Sequence, residues 1–234
     1  MVASKKGGRS TKKAAAKKGA AAKRAAKSAG RTAAGTSRAA SKAAPAPVVT
    51  FPSGQSLRIV SAPSLPGQEH YDPNNSGNPL LDTGGANRNK KLSQNFTAGE
   101  LARSGEMVFN IARIDPALVA ALQAIRDFVG RPVTVTSGYR SFAYNTEIYR
   151  RRGQTPTRSQ HTSGRGADIK IEGMTGVQIA KAAIDAAGCR VAVGLGATFA
   201  HVDVRGRFAV WNYGGVTQAK IDEVKRYHRT RCGG

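Results

Sequence analysis

A strongly basic segment at the start of the chain limits which residues can fold. Residues 1–44 contain 13 Lys and Arg side chains but no Asp or Glu. After an initial Met and Val, the segment is built from Ala, Lys, Arg, Gly, Ser and Thr only. It therefore lacks the apolar surface needed to offset the entropy cost of ordering a chain. We predict a disordered basic tail over 1–44, so that folding depends on the residues that follow.

The next segment, residues 45–90, has the composition of a linker. It is dense in Pro, Gly, Asn and Asp, which favour turns over regular elements. We predict one short strand in it, at Leu57–Val60. His70, which also lies in this segment, is expected to be a solvated loop histidine.

From about Leu92 onward, the sequence has the helix caps and the apolar periodicity of regular elements. This pattern predicts a folded domain over residues 91–234. The clearest helix opens with Asp115 as N-cap and Pro116 at the first helical position, and Gly130 ends it. Other helices are predicted at 141–151, 175–187 and 216–227, with strands at 132–136, 167–171, 191–195, 198–204 and 207–211. This order predicts an α+β fold, with helices on one side of a small, mostly antiparallel sheet.

Charge and cysteine content exclude several classes of protein. The net charge is +23, but no apolar h-region follows the basic start, so a secretory signal is not supported. We also find no apolar run long enough to span a bilayer. Cys189 and Cys232 cannot form a disulfide framework or a CxxC zinc site. Two free thiols and a single bridge that tethers the C-terminus both remain open.

Three side chains form a candidate metal site. His161 and Asp168 lie in the stretch SQHTSGRGADIKI, where Gly164 and Gly166 permit close backbone approach. His201 lies in the strand-like sequence FAHVD, and strand alternation puts it on the same face as Asp203. Two imidazoles and one carboxylate suit a Zn²⁺ ion whose fourth position is left for water.

The same residues resemble a known family. The motifs SGYRS (137–141), SQHTSGRGADI (159–169) and FAHVDVRG (199–206), together with Asn145, are similar to zinc D-Ala-D-Ala carboxypeptidases and endopeptidases that cleave peptidoglycan peptides. The resemblance covers about residues 91–213 and is of the M15 type, with a His-Val-Asp strand. It implies a hedgehog/D-Ala-D-Ala peptidase-like fold and a zinc peptidase domain over 91–234.

Carried over residue by residue, the resemblance implies one zinc ion held by His161, Asp168 and His201. It implies that Arg140 binds a substrate carbonyl or carboxylate and stabilises the oxyanion, and that Tyr139 and Ser159 contact substrate. The residues before His201 supply no acid, so Asp203 is the nearby carboxylate. Asp203 is either the general base or the group that orients His201, and the sequence leaves both roles open.

Two other functions stay open at this point. The first is a zinc-binding, wall-associated module without hydrolytic activity, because no acid precedes His201. The second is a nucleic-acid-associated protein, because the basic tail suits an anionic partner such as nucleic acid, a wall polymer or an acidic protein. Without a signal peptide, an enzyme of this kind is expected to reach a cell wall after lytic release, by phage delivery or by non-classical export.

Overall fold

The computed structural model describes residues 45–61, 65–156 and 158–233, and these residues fall in one compact unit. The predicted basic tail at 1–44 lies outside the described residues. The helices are α1 Ala98–Leu101, α2 Pro116–Val129, α3 Phe142–Arg151, α4 Gly176–Ala187 and α5 Gln218–Cys232, with a short 3-10 helix at Gly85–Asn89. None of the described helices combines the length and apolar character that a membrane span requires.

Local signals account for the ends of the main helices. The side chain of Asp115 accepts a hydrogen bond from the backbone N–H of Ala117, which caps α2. Gly130 ends α2 in the left-handed conformation, with φ of 64°. Ser141 caps α3 in the same manner as Asp115 caps α2. The predicted bounds of α2 are therefore confirmed.

The larger sheet has seven strands in the order β11-β9-β10-β8-β7-β4-β5. All neighbours in it are antiparallel except β11 and β9, which are parallel. Its strands are β4 Arg103–Ser104, β5 Met107–Val108, β7 Val133–Ser137, β8 Gly166–Ile171, β9 Ala192–Gly196, β10 Ala200–Asp203 and β11 Ala209–Gly214. The predicted α+β class with a mostly antiparallel sheet is confirmed.

The two faces of this sheet have different roles. Helix α4 contacts β8, β9 and β10, and it also packs against α2. On β8, Ala167, Ile169 and Ile171 are almost fully buried and alternate with Asp168. Since alternate residues of a strand point to opposite faces, these apolar side chains face the helical layer. Asp168 consequently lies on the other face, where the candidate site is built.

The segment 45–90 differs from a linker. It contributes β1 Val48–Thr50, β2 Ser56–Val60 and β3 Leu80–Asp82, which form a second sheet with β6 Ile111–Ala112 in the order β1-β2-β3-β6. Leu57 and Leu81 are 0% exposed. Burying a leucine contributes about 1.5–3 kcal/mol, so the described part of this segment packs as part of the folded unit.

The two cysteines form one disulfide bridge. Cys189 follows the end of α4 and Cys232 is the last residue of α5, and the bridge joins them across 43 positions of sequence. Of the two alternatives left open by the sequence, the structure contains the bridge rather than free thiols.

Candidate active site

The site is built on one row of paired residues that runs across the larger sheet. Strand pairing places His201 opposite Asp168 on one side and opposite Gly194 on the other. The row continues from Asp168 to Ser137 and then to Ser104. In the other direction, Gly194 pairs with Trp211. Residues far apart in sequence therefore share one line across six neighbouring strands.

The three predicted ligands meet in this row and in the loop before β8. One ligand atom from each of His161, Asp168 and His201 lies within 4.8 Å of the other two. Oδ1 of Asp168 is 3.3 Å from Nε2 of His161 and 2.9 Å from Nδ1 of His201. The exposed fractions are 1%, 6% and 3%, respectively. The structure thus brings together two imidazoles and a carboxylate in a nearly dry cluster.

The hydrogen bonds of His161 fix which nitrogen faces the cluster. Nδ1 of His161 lies 2.7 Å from the carbonyl oxygen of Gly138, and a carbonyl only accepts, so Nδ1 donates. The inward Nε2 therefore carries the lone pair. This atom is buried without a hydrogen-bond partner, because the Asp168 carboxylate 3.3 Å away only accepts hydrogen bonds, as the lone pair does. An unpartnered buried lone pair facing a carboxylate is what a metal ligand requires.

His201 is held from its opposite nitrogen. Its Nε2 lies 3.1 Å from Oδ2 of Asp203, while its Nδ1 faces Asp168. Asp203 is 0% exposed, and both of its oxygens also accept hydrogen bonds from the guanidinium of Arg205, at 2.7 and 2.5 Å. The Asp203–Arg205 pair therefore fixes the orientation of the His201 ring.

Arg140 lies against the second oxygen of Asp168. Its Nη2 donates to Oδ2 of Asp168 over 2.7 Å, and its Nε donates to the hydroxyl oxygens of Ser137 and Ser104 over 2.9 and 3.2 Å. The two serine hydroxyls are also hydrogen-bonded to each other, at 2.8 Å. Since Oδ2 is taken by Arg140, only Oδ1 of Asp168 faces the two imidazoles.

The surroundings shift the pKa values of the cluster in different directions. Burial and the charge of Arg140 lower the pKa of His161 to about 4. Burial also acts to lower the pKa of His201, but the hydrogen bonds to Asp168 and Asp203 outweigh it and raise that pKa. Burial acts to raise the pKa of Asp168, but the two imidazoles outweigh it and hold the pKa well below its usual range. Asp168 is thus an anionic group and His161 a neutral one near neutral pH.

Two glycines on the strands that neighbour β10 leave space for the rings at the site. A Cβ atom on Gly166 would lie 2.8 Å from Cε1 and 3.0 Å from Nε2 of the His201 ring. On the far side, a Cβ atom on Gly194 would lie 2.8 Å from the indole of Trp211. Neither contact is tolerated by real Cβ atoms without movement of the ring. Gly166 is therefore needed for the position of the His201 ring, and Gly194 for the position of the Trp211 indole beside it.

Two residues predicted to contact substrate form hydrogen bonds within the protein. Tyr139 is 1% exposed, its hydroxyl lies 2.9 Å from Nδ1 of His70, and its ring packs edge-on against Phe109. The prediction that Tyr139 contacts substrate does not fit this burial, and His70 is a half-buried partner of Tyr139 rather than a solvated residue. The hydroxyl of Ser159 accepts from the backbone N–H of His161, at 3.3 Å. A contact between Ser159 and substrate stays a prediction.

Sequence reasoning missed two aromatic residues on β11 that border His201. The ring of Tyr213 is stacked on His201 with centroids 5.5 Å apart and planes 9° apart. The ring of Trp211 lies 5.4 Å from His201 and also packs under the guanidinium of Arg205. Burial raises the pKa of Tyr213, the Asp168 charge raises it further, and Arg140 lowers it. The sequence contains one indication of their role, because two aromatic residues alternate along a strand. The same pattern is equally typical of aromatic residues that only pack against a neighbouring strand.

The donor set fits a zinc ion. Imidazole and carboxylate are ligands that Zn²⁺ accepts, and three protein ligands leave a position open, as catalytic zinc sites require. Each imidazole has its outward nitrogen held, by Gly138 or by Asp203, which is the usual support for a ligating histidine. The part of the chain that the structure describes adds no further His, Cys, Asp or Glu to this cluster.

Comparisons with known proteins find similarity over the part of the chain that contains this site. Residues 94–203 match the family described as Peptidase M15, which confirms the resemblance drawn from the motifs. Two curated relatives are Peptidoglycan L,D-endopeptidase MepK of Escherichia coli (strain K12) and the protein of the same name from Shigella flexneri, each 35% identical over 95 residues. These residues are 40% of this chain and 52% of each relative, so the chain spans about half the length of the curated relatives it matches. No solved structure matches the chain significantly.

Proposed function

We propose, from the match of residues 94–203 to the Peptidase M15 family, that this chain is a zinc-dependent hydrolase of peptide bonds in peptidoglycan. The observation that carries this proposal is the buried donor set of His161 Nε2, Asp168 Oδ1 and His201 Nδ1. A zinc ion held by these three residues would lower the pKa of a bound water molecule towards neutrality and polarise a carbonyl group.

The residues around the donor set hold its three side chains in position. Gly138 and Asp203 hold the two imidazoles from outside, and Arg140 holds the free oxygen of Asp168. Asp203 is placed behind His201 and is fully buried, so it acts as a positioning residue. This supports the second of the two roles that the sequence left open for Asp203, rather than the general base.

The hydrogen bonds of Arg140 favour an endopeptidase over a carboxypeptidase. Arginine grips a terminal carboxylate most strongly with two parallel N–H groups. In this site the side-on pair, Nε and Nη2, already binds Ser137, Ser104 and Asp168. Arg140 is thereby suited to contact a single carbonyl oxygen within a peptide. The name of the MepK relatives points in the same direction, because it describes a peptidoglycan L,D-endopeptidase.

Defined muropeptides test the proposal. Zinc-loaded protein is incubated with cross-linked dimers and with pentapeptide monomers, and the products are identified by mass spectrometry. Endopeptidase activity splits the dimers and leaves terminal D-Ala in place, whereas carboxypeptidase activity releases D-Ala. His161→Ala serves as the inactive comparison. Zinc-loaded wild-type protein that cleaves none of these substrates overturns the proposal in favour of a non-catalytic zinc-binding module.

We also propose that the basic segment 1–44 attracts an anionic polymer without sequence selectivity. The supporting observation is its 13 Lys and Arg side chains without a single acid. Binding through phosphate neutralisation weakens steeply as salt rises. Retention of the full chain on DNA should therefore fall with salt, and a chain that begins at Pro45 should be retained much less. Equal retention of both proteins contradicts a role for the segment.

A further inference from the structure

Tyr213 is one of two aromatic residues that border His201, and it is partly exposed. Its ring stacks on His201 and meets the ring of Phe199 edge-on, with centroids 5.6 Å apart and planes 88° apart. Two aromatic contacts at nearly right angles fix the direction of the phenol. Tyr213 is only partly buried, whereas the cluster residues are 6% exposed or less. A substrate that approaches the cluster can therefore reach Tyr213.

The backbone of β11 is irregular at Tyr213. The pairing of β11 with β9 is regular up to Asn212 and shifts in register before Gly214, so Tyr213 is the extra residue of a β-bulge. Gly214 follows with φ of 137°, a conformation that glycine adopts without strain. Bulges re-aim side chains and are over-represented beside active sites. The irregularity of β11 thus lies at Tyr213 itself, directly beside the ligand cluster.

The hydroxyl of Tyr213 lies near the charged part of the site. The Asp168 carboxylate acts to raise the pKa of Tyr213 and the Arg140 guanidinium acts to lower it, so both charged groups are close to the phenol. Arg140 and Tyr213 come from separate parts of the sheet, near the end of β7 and on β11. Arg140 is hydrogen-bonded to Asp168 and Tyr213 is stacked on His201, so the two side chains border neighbouring members of the ligand cluster.

We propose that Tyr213 is a catalytic residue whose hydroxyl donates a hydrogen bond to the oxygen of the scissile carbonyl. This inference rests on the proposed peptidase function. The bond strengthens as that oxygen gains negative charge, and the proton stays on the phenol, so no proton transfer is involved. Arg140 approaches the same oxygen as a second donor. Donors fixed in advance where charge develops lower the barrier more than they strengthen ground-state binding.

A purely structural role for Tyr213 makes a different prediction. If the ring only packs against His201, its removal disturbs zinc binding and its hydroxyl is dispensable. Tyr213→Phe keeps the ring and removes the hydroxyl alone. Tyr227→Phe is the matched control, because the Tyr227 hydroxyl binds Asp185 on α4, away from the ligand cluster.

The test combines kinetics with binding. Steady-state constants are measured on a muropeptide that the wild-type protein cleaves. We expect kcat of Tyr213→Phe to fall by about 10²-fold with little change in KM, as for other single oxyanion donors. Zinc content and melting temperature should match the wild type. Tyr227→Phe should keep the wild-type kcat. Calorimetry with a phosphinate dipeptide, whose tetrahedral oxyanion mimics the reacting centre, should show a Kd weakened by roughly tenfold or more in Tyr213→Phe only.

Each contrary outcome has a distinct meaning. A kcat of Tyr213→Phe within about threefold of the wild type, with unchanged phosphinate binding, overturns the inference while the peptidase function stands. Loss of zinc from Tyr213→Phe also overturns it, because the residue then acts by positioning His201. If the wild-type protein cleaves no muropeptide, the proposed function fails, and phosphinate binding still reports on the Tyr213 hydroxyl.

Discussion

Asp203 and His201 are joined by a 3.1 Å contact between Oδ2 and Nε2, on the side of the imidazole ring that faces away from Asp168. Asp203 is in turn held by Arg205 through both of its oxygens. The carboxylate closest in sequence to the second predicted histidine ligand is therefore separated from the open side of the cluster by that histidine itself. A group in this position sets the angle and basicity of the imidazole.

Replacement of Asp203 by Asn separates a positioning role from a catalytic base. In Asp203→Asn, zinc affinity should fall by about 10–100-fold because the His201 ring loses its anionic support. Activity should recover largely when zinc is saturating. Chelator competition measures the affinity, and muropeptide cleavage at rising zinc concentration measures the recovery. An Asp203→Asn protein that holds zinc fully and is still inactive would assign the base to Asp203. Asp222→Asn, on the exposed side of α5, is the control.

The lack of a side chain at Gly166 is required by the candidate metal site rather than by the backbone conformation. The added methyl group of Gly166→Ala would meet the His201 ring, which is held between Asp168 and Asp203 and cannot move away freely. We expect zinc affinity to fall by at least about tenfold. Far-ultraviolet circular dichroism should be unchanged. Wild-type zinc affinity in Gly166→Ala would mean that the ring has room the structure does not show.

Residues 45–90 should contribute directly to stability. Leu81→Ala removes a side chain that is 0% exposed on β3 and should lower the free energy of unfolding by about 2–5 kcal/mol. Leu65→Ala lies in the same segment, but Leu65 is 66% exposed, so its replacement should change stability by less than about 0.5 kcal/mol. Urea unfolding of both variants makes the comparison. Equal, small effects would mean that this segment is a linker after all.

The disulfide bridge should stabilise the fold without touching the site. The double variant Cys189→Ser/Cys232→Ser should lose about 2–4 kcal/mol of unfolding free energy, because the unfolded chain regains the conformational entropy that the closed loop removes. Zinc content should be the same as in the wild type. Wild-type protein unfolded in a dithiol reductant should show the same loss, and the double variant should not respond to the reductant. A wild-type protein that is insensitive to reductant would argue against the bridge.

Elements with local signals could be predicted from the sequence, and elements that depend on distant pairing could not. The bounds of α2 follow from Asp115, Pro116 and Gly130, which act within one or two turns. Strands β1 and β3 have three residues each, and β3 pairs with β6 across about thirty positions. Such short strands are stabilised by pairing with distant strands, which no local sequence pattern indicates. The turn-rich composition of residues 45–90 therefore predicts a linker instead.

The candidate site shows the same division. The residue types and strand alternation were enough to group His161, Asp168 and His201 as one set. They did not show which nitrogen of His201 faces Asp168, so the role of Asp203 stayed open. Tyr213 was missed because its place beside His201 depends on a parallel strand pairing and a bulge. Both features are set by tertiary packing rather than by neighbouring residues.

Zinc content is the most direct test of the central claim that His161, Asp168 and His201 form a metal centre. Elemental analysis of the purified full chain should find about one zinc ion per molecule. His161→Ala should contain none, whereas His228→Ala, which removes the histidine beside the disulfide bridge, should match the wild type. Wild-type protein that holds no zinc after loading, or His161→Ala that keeps it, would contradict the account.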